Sequence, residues 1–321
     1  MSKFSSLAGT RRILTRMSVV VATILLFAVV TPASAQQNFQ TPEEAAKALV
    51  DAVRTGTPNA VLTVLGRNGR DIASSGDNVA DDEMRQRFLA AYDQQNQIAM
   101  DGDSKATLIV GEEAFPFPIP LVRRDGRWRF DTIAGRSEIL YRRIGRNELN
   151  AIQAALAYVD AQHEYAEQDR AGAGAGVYAR RFVSQQGRRD GLYWPTGQGE
   201  EPSPLGDLVA QATSEGYQIG GARAPFHGYF YKILTKQGPD ARGGRMDYVV
   251  GGREGRMIGG FALVAYPAEY RNSGVMTFIV NHEGVVYQKD LGTATARIAF
   301  RMNSFNPDKT WRKVDVSGLT Q

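Results

Sequence analysis

Cysteine is absent from all 321 residues. That excludes disulfide staples, thiol nucleophiles and thiolate metal sites together. Histidine is nearly absent too. His163, His227 and His282 lie far apart, without the H-x-x-x-H or H-E-x-x-H spacing of a zinc-binding helix. Neither a G-x-S-x-G nucleophile elbow nor a G-x-x-x-x-G-K-[ST] phosphate loop occurs. Gly251-Gly252-Arg253-Glu254-Gly255 is glycine-rich, but strand-like sequence flanks it and no helix opens after it. It reads as a hairpin loop rather than a dinucleotide fingerprint. No cofactor and no metal is predicted.

Long apolar runs are also scarce. The longest, Ser18 to Val30, is too short for a stable membrane anchor. Arg11, Arg12 and Arg16 precede it, and Ala33-Ser34-Ala35 follows as a small-residue cleavage pattern. Residues 1–35 therefore read as a cleavable export signal, with a periplasmic or secreted product and no transmembrane anchor after its removal. Thr10-Arg11-Arg12-Ile13-Leu14 resembles a twin-arginine signal, whereas the apolar core favours the general secretory route. The signal also carries the excess charge. The chain has 38 basic and 34 acidic residues, and Lys3, Arg11, Arg12 and Arg16 account for the difference. A neutral mature chain has no general attraction for nucleic acid or anionic lipid. Arg142-Arg143 with Arg146 reads as a solvated basic face.

What is present divides in two. In residues 36–145, Thr41-Pro42-Glu43-Glu44 is a helix start, Ala46, Leu49, Val50 and Val53 recur at helical spacing, and Gly56 stops the run. A short helix is expected over Asn59 to Leu65, and another over about Asp81 to Asp93, with Met84, Phe88, Leu89 and Tyr92 on one face. Strands follow at Ala106 to Val110 and Trp128 to Thr132, the second entered through the turn Arg124-Asp125-Gly126-Arg127. Asp101-Gly102-Asp103 reads as a β-turn. Pro116, Pro118 and Pro120 confine the stretch Phe115 to Val122 to an edge strand or extended loop.

Residues 146–321 open on a helix expected over about Asn147 to Gln168, with Leu149, Ile152, Leu156 and Val159 as its apolar stripe. Arg136 to Arg146 would bridge the two parts, as a helix continuous with it. Ala171 to Gly176 breaks the helix, and a short helix is expected near Pro204 to Gly216. Strands are expected at Phe226 to Leu234, at Met257 to Tyr266 with a bulge at Gly259-Gly260, and on both sides of the turn Asn281-His282-Glu283-Gly284. The predicted class is α+β. N-terminal helices pack on a curled antiparallel sheet, and a long helix then packs on a second antiparallel sheet.

Three resemblances attach to these residues. Helices followed by a curled sheet ending on Asp125-Gly126-Arg127-Trp128-Arg129-Phe130 resemble the cystatin-like cone of the nuclear-transport-factor-like superfamily. Catalytic cones usually hold an Asp–His pair, and this half has no histidine. The runs Pro118 to Val122, Arg142 to Leu149, Asp190 to Pro195, Gly274 to Val280 and Tyr287 to Gly292 resemble a bacterial family of exported proteins. That family is catalogued only as a domain of unknown function. The second part, with Asn147-Glu148 and Gly228-Tyr229-Phe230-Tyr231, is similar to the soluble heads of type IV pilins and pseudopilins. Its helix lies behind another domain, so the resemblance implies a docking head rather than a filament subunit.

The candidate sites are few. Asp169-Arg170-Ala171-Gly172-Ala173-Gly174 has alanines where a calcium loop needs oxygen ligands. His163 and Glu164, with Asp160, offer an acid/base group at the end of the long helix, and His227 could face a pocket. His282, in its turn, is expected to be exposed. Tyr193 and Trp194 form an aromatic loop surface suited to a sugar, a peptide or a protein. The functional expectation is an exported non-catalytic binding or assembly factor of the cell envelope, docking an envelope protein or cell-wall component. The alternative is an envelope hydrolase using His163, Glu164 or His227.

Overall fold

The computed structural model describes residues 36–172, 174–218, 224–252 and 255–317. The expected export signal, 1–35, lies outside the described residues. Helix α1 spans Pro42–Arg54; Thr41 caps it through a bond from the Glu44 N–H, with Pro42 in the first turn. Helices α2 (Pro58–Leu65) and α3 (Arg70–Ala73) follow, joined by a 3₁₀ turn. Helix α4 (Asn78–Gln94) starts three residues earlier than its apolar pattern suggested, because Asp77 caps it through the Ala80 N–H.

The first sheet is antiparallel, in the order β1-β2-β4-β5, with β3 beside β2. Its strands are β1 (Asn96–Asp101), β2 (Lys105–Val110), β3 (Phe115–Pro116), β4 (Leu121–Arg124) and β5 (Arg127–Phe130). Strand β1 is almost wholly exposed and lacks an apolar alternation, so the sequence concealed it. The 101–103 turn closes the β1–β2 hairpin as expected. The prolines reduce 115–120 to the two-residue β3. Leu49, Leu65, Ile119, Leu121, Trp128 and Phe130 form the core beneath α1 and α2.

Helix α5 runs unbroken from Thr132 to Glu167. It begins fifteen residues before the expected Asn147, because Asp131 caps it immediately after β5. It is the continuous bridge between the two parts. Of the expected stripe, Ile152 and Val159 are buried and Leu156 packs against the same core, but the buried face is wider and Leu149 lies outside it. Leu149 is 48 % exposed, and a buried line of Arg143, Asn147, Ala151, Ala155, Tyr158 and Gln162 runs beside Ile152 and Val159. Steps of four and three keep that line on one face, with polar residues at both ends.

Helix α6 (Gly206–Ser214) leads to the second antiparallel sheet, ordered β15-β13-β12-β11-β6. The strands flanking α6 and its sheet are β6 (Tyr229–Leu234), β7 (Lys236–Gln237), β8 (Met246–Asp247), β9 (Val249–Val250), β10 (Arg256–Met257), β11 (Ala262–Pro267), β12 (Met276–Asn281) and β13 (Tyr287–Asp290). Helix α7 (Thr295–Arg301), β14 (Ser304–Phe305) and β15 (Arg312–Lys313) close the chain. The run expected as one strand over 257–266 is split at Gly259-Gly260 into β10 and β11. A Cβ at Gly260, where φ is +130°, would meet the His282 ring. Strands β9 and β10 form the expected hairpin around the glycine-rich loop. Tyr158, Phe261, Val264, Phe278 and Ile279 belong to a second, separate core. The fold is α+β, with helices laid on antiparallel sheets.

Candidate functional site

Between the two cores, polar side chains replace apolar ones. The buried carboxylate of Asp77 caps α4 with one oxygen. Its other oxygen accepts the Tyr217 hydroxyl at 3.0 Å and the Gly228 N–H at 2.7 Å. Burial, followed by the charge of Asp77, pushes the Tyr217 phenol far above its ordinary pKa. Gly228 has φ +74°, and a Cβ there would collide with the Asn147 amide, which donates to Ser273 O at 2.9 Å. His227 itself adopts φ +49°, a left-handed conformation that costs energy for a residue with a side chain. The sequence suggested a strand at 226–228. The structure places a tight turn there, with β6 starting at Tyr229.

Arg143 is the second clasp. Its guanidinium donates to the carbonyls of Asp71 and Ile72 and, at 2.6 Å, to Asn272 Oδ1. Asn272 in turn donates to Ser74 O and to Glu269 Oε2. Burial lowers the Arg143 pKa; Asp81 and Glu269 oppose that shift and Arg146 reinforces it. The expectation of a solvated Arg142-Arg143 face is therefore corrected. Arg143 is 3 % exposed because it sits on the buried line of α5, while Arg142 pairs with Glu138 at the surface. Glu148, one helix position past Asn147, accepts the N–H groups of Val275 and Met276 at the start of β12.

Two cavities adjoin these clasps, and Ala154, Leu208 and Phe226 border both. The first, about 380 Å³, is polar: Asp81, Arg143, Arg146, Glu215 and His227 line it. His227 Nε2 lies 3.2 Å from Glu215 Oε2. The second is a cleft of about 880 Å³ bordered by α5, α6, β6 and α7. Its walls are apolar and aromatic, including Tyr158, Phe226, Tyr231, Leu263 and Phe300. Lys232 and Arg297 are the charged side chains on that lining. Lys232 Nζ donates to Phe300 O at 2.7 Å and Met302 O at 2.6 Å, capping the end of α7, and burial lowers its pKa.

The residues singled out from sequence fall in three places. His227 lines the polar pocket, beside a carboxylate. His163 is exposed on α5; its ring packs edge-on against Phe261 at 5.2 Å, and its Nε2 lies 3.2 Å from His282 O. Glu164 and Trp194 meet through Arg170, which lies 3.6 Å from Glu164 and stacks its guanidinium 5.6 Å from the Trp194 ring. Trp194 is 5 % exposed, and Arg189 stacks on it as well. It therefore presents no open aromatic face. Tyr193 is half-buried, its backbone bonded to Phe182 and Ser184. His282 is half-buried rather than exposed, and burial lowers its pKa. Among the described residues, no three His, Asp or Glu side chains are grouped to hold a metal ion. No described helix is long and apolar enough to cross a membrane.

Asp77, Arg143, Glu215 and Tyr217 were missed as candidates. Arg143 and Asn147 were detectable, since four-residue spacing continues the α5 line through them to Ala151. Asp77 and Tyr217 are 140 residues apart and carry no local signal.

The fold and the two cavities beside α5 define an α+β protein with buried polar clasps on α4, α5 and the neighbouring loops, and an apolar cleft beside them. The family model for proteins of unknown function named DUF2950 matches residues 36–314, so the chain belongs to that family. No curated protein and no solved structure matches it.

Proposed function

We propose that this protein is an exported, non-catalytic binding factor of the bacterial cell envelope, and that its apolar cleft takes up a small molecule with a hydrophobic body. One observation carries the reading. The cleft is large enough for a ligand of several rings or a folded alkyl chain, and its walls are mostly apolar. The leader-like residues 1–35 support an extracytoplasmic site of action. The order of elements supports the comparison with a cone followed by a pilin-like docking head, which would let the loaded protein engage an envelope partner.

The test is titration of the mature chain with N-phenyl-1-naphthylamine, a neutral probe that fluoresces in apolar surroundings. Saturable binding is expected, and Ala296→Trp, at an exposed position on the rim of the cleft, should weaken it about tenfold by occupying the entrance. Absence of saturation, or indifference to the substitution, would sink the reading.

The contact of His227 with Glu215 in a concave pocket favours a second reading, an envelope hydrolase with His227 as acid/base. Turnover of a wall peptide by the wild type, lost in His227→Asn with the fold intact, would replace the binding reading with this one.

A further inference from the structure

Charge on the apolar cleft is confined to one end. The cleft has walls on both faces of β6, the last strand of the second sheet. Successive side chains of a strand point to opposite faces. Phe230 and Lys232 therefore share one face, together with Tyr266, which pairs with Phe230 from β11. From that face Lys232 reaches the last turn of α7, and Arg297 stands one turn earlier on the same helix, three residues before Phe300. Tyr231 points the other way, its ring 6.3 Å from that of Phe226. On that side α5 and α6 supply walls such as Ala154, Tyr158 and Leu208, and no charged side chain is among them.

The charges at the α7 end have one sign. Lys232 and Arg297 are both cations, and none of the described residues lining the cleft is acidic. Lys232 spends two of its three donors on the carbonyls of Phe300 and Met302, so its contribution is chiefly its charge. Arg297 is exposed and has no hydrogen-bond or ion-pair partner among the described residues. Its planar fork matches the two oxygens of a carboxylate. The cleft is thus amphipathic along its length, cationic beside α7 and apolar between α5 and α6.

On the reading of this cleft as a ligand site, we propose that its ligand is a long-chain carboxylate, a fatty acid, with the carboxylate on Arg297 in the field of Lys232 and the chain laid around β6 toward α5 and α6. The cleft of about 880 Å³ has room for such a chain. A neutral hydrophobe leaves the cationic end unmatched, and a cationic amphiphile is repelled from it. A phosphate head brings a third oxygen and close to a second charge, more than one guanidinium fork satisfies.

Displacement of N-phenyl-1-naphthylamine from the mature chain tests this. Dodecanoate should compete at least about tenfold more tightly than 1-dodecanol, which carries the same length of chain, and dodecyltrimethylammonium more weakly than either. The advantage of dodecanoate should shrink as salt rises from about 0.05 M to about 0.5 M, because the head contact is exposed. Arg297→Gln should bring dodecanoate and dodecanol to within about twofold of one another, with an unchanged circular dichroism spectrum. Three results would overturn the proposal and leave the cleft reading in place: equal competition by dodecanoate and dodecanol in the wild type, a ratio indifferent to Arg297→Gln, or tighter competition by dodecyl phosphate than by dodecanoate. A chain that fails to bind the dye, or competition untouched by Ala296→Trp, would remove both.

Discussion

Replacing Asp77 with alanine would strand three donors at once: the Ala80 N–H, the Tyr217 hydroxyl and the Gly228 N–H. Loss of a helix cap costs about 1 kcal/mol, and each buried donor left unsatisfied about 1–3 kcal/mol. Asp77→Ala should therefore lower unfolding stability by about 3 kcal/mol or more in urea titration. Asp77→Asn keeps one acceptor and should lose less. His282 yields a prediction in pH. Burial holds its folded pKa below the ordinary 6.5; Glu283 opposes this, nearby His163 adds to it, and a backbone bond at Phe261 opposes it. The folded state thus binds fewer protons than the unfolded chain. The stability His282 contributes is present above about pH 6.5 and is lost as pH falls through its folded pKa. His282→Gln should flatten the corresponding slope in denaturation measured from pH 7 to pH 5. These residues also show where sequence reading stops. An aspartate before a helix looks like an ordinary cap, and only the fold supplies Tyr217 and Gly228 as its other partners.

Helix α5 makes the element-scale case through its two glycines. A Cβ at Gly135 would lie 2.5 Å from the Ile119 Cα and 2.5 Å from Pro118 O, both backbone atoms that cannot yield. At Gly145 nothing lies within 4 Å. Gly145→Ala should stabilise the protein by up to about 1 kcal/mol, because alanine loses less backbone entropy in a helix. Gly135→Ala should destabilise it by about 3 kcal/mol, as an overpacked site that must displace the Pro118–Ile119 backbone. Thermal unfolding of the two variants reads the contrast. The sequence revealed the central and C-terminal turns of α5 through apolar spacing. The bridge from Arg136 to Arg146 was read as a helix without an apolar pattern to support it, because Arg136, Arg142, Arg143 and Arg146 dilute that pattern, and only Thr132 to Gly135 lay outside the expected helix. Strand β1 was hidden for a related reason: an edge strand facing water on both sides keeps no alternation.

At the scale of the whole molecule, the two larger apolar cores among the described residues share one helix and a set of buried polar clasps. Trp128 belongs to the first core and Trp194 to the second, so each can report on its own half. In variants retaining one of these two tryptophans, with the others replaced by phenylalanine, the two fluorescence transitions in urea should coincide. Transitions separated by more than about 0.5 M urea would show that α5 and the clasps do not couple the halves. The α+β class was legible because both sheets carry strong turn signals and both parts begin with helical patterns. The candidate site was not, because its parts come from α4, α5, the end of α6 and the 226–228 turn, and no local pattern links them.

The unbroken span of α5 also bears on how this chain can tolerate changes in length. Each residue added between Gly135 and Asn147 would turn everything beyond it by about 100° and shift it by about 1.5 Å. Three or four extra residues nearly restore the rotation but move Arg143 or Asn147 about 5 Å from its partners on the far side of the clasp. No insertion there preserves both angle and distance, so this segment is a gauge of fixed length, and viable insertions belong in the turns on either side of it.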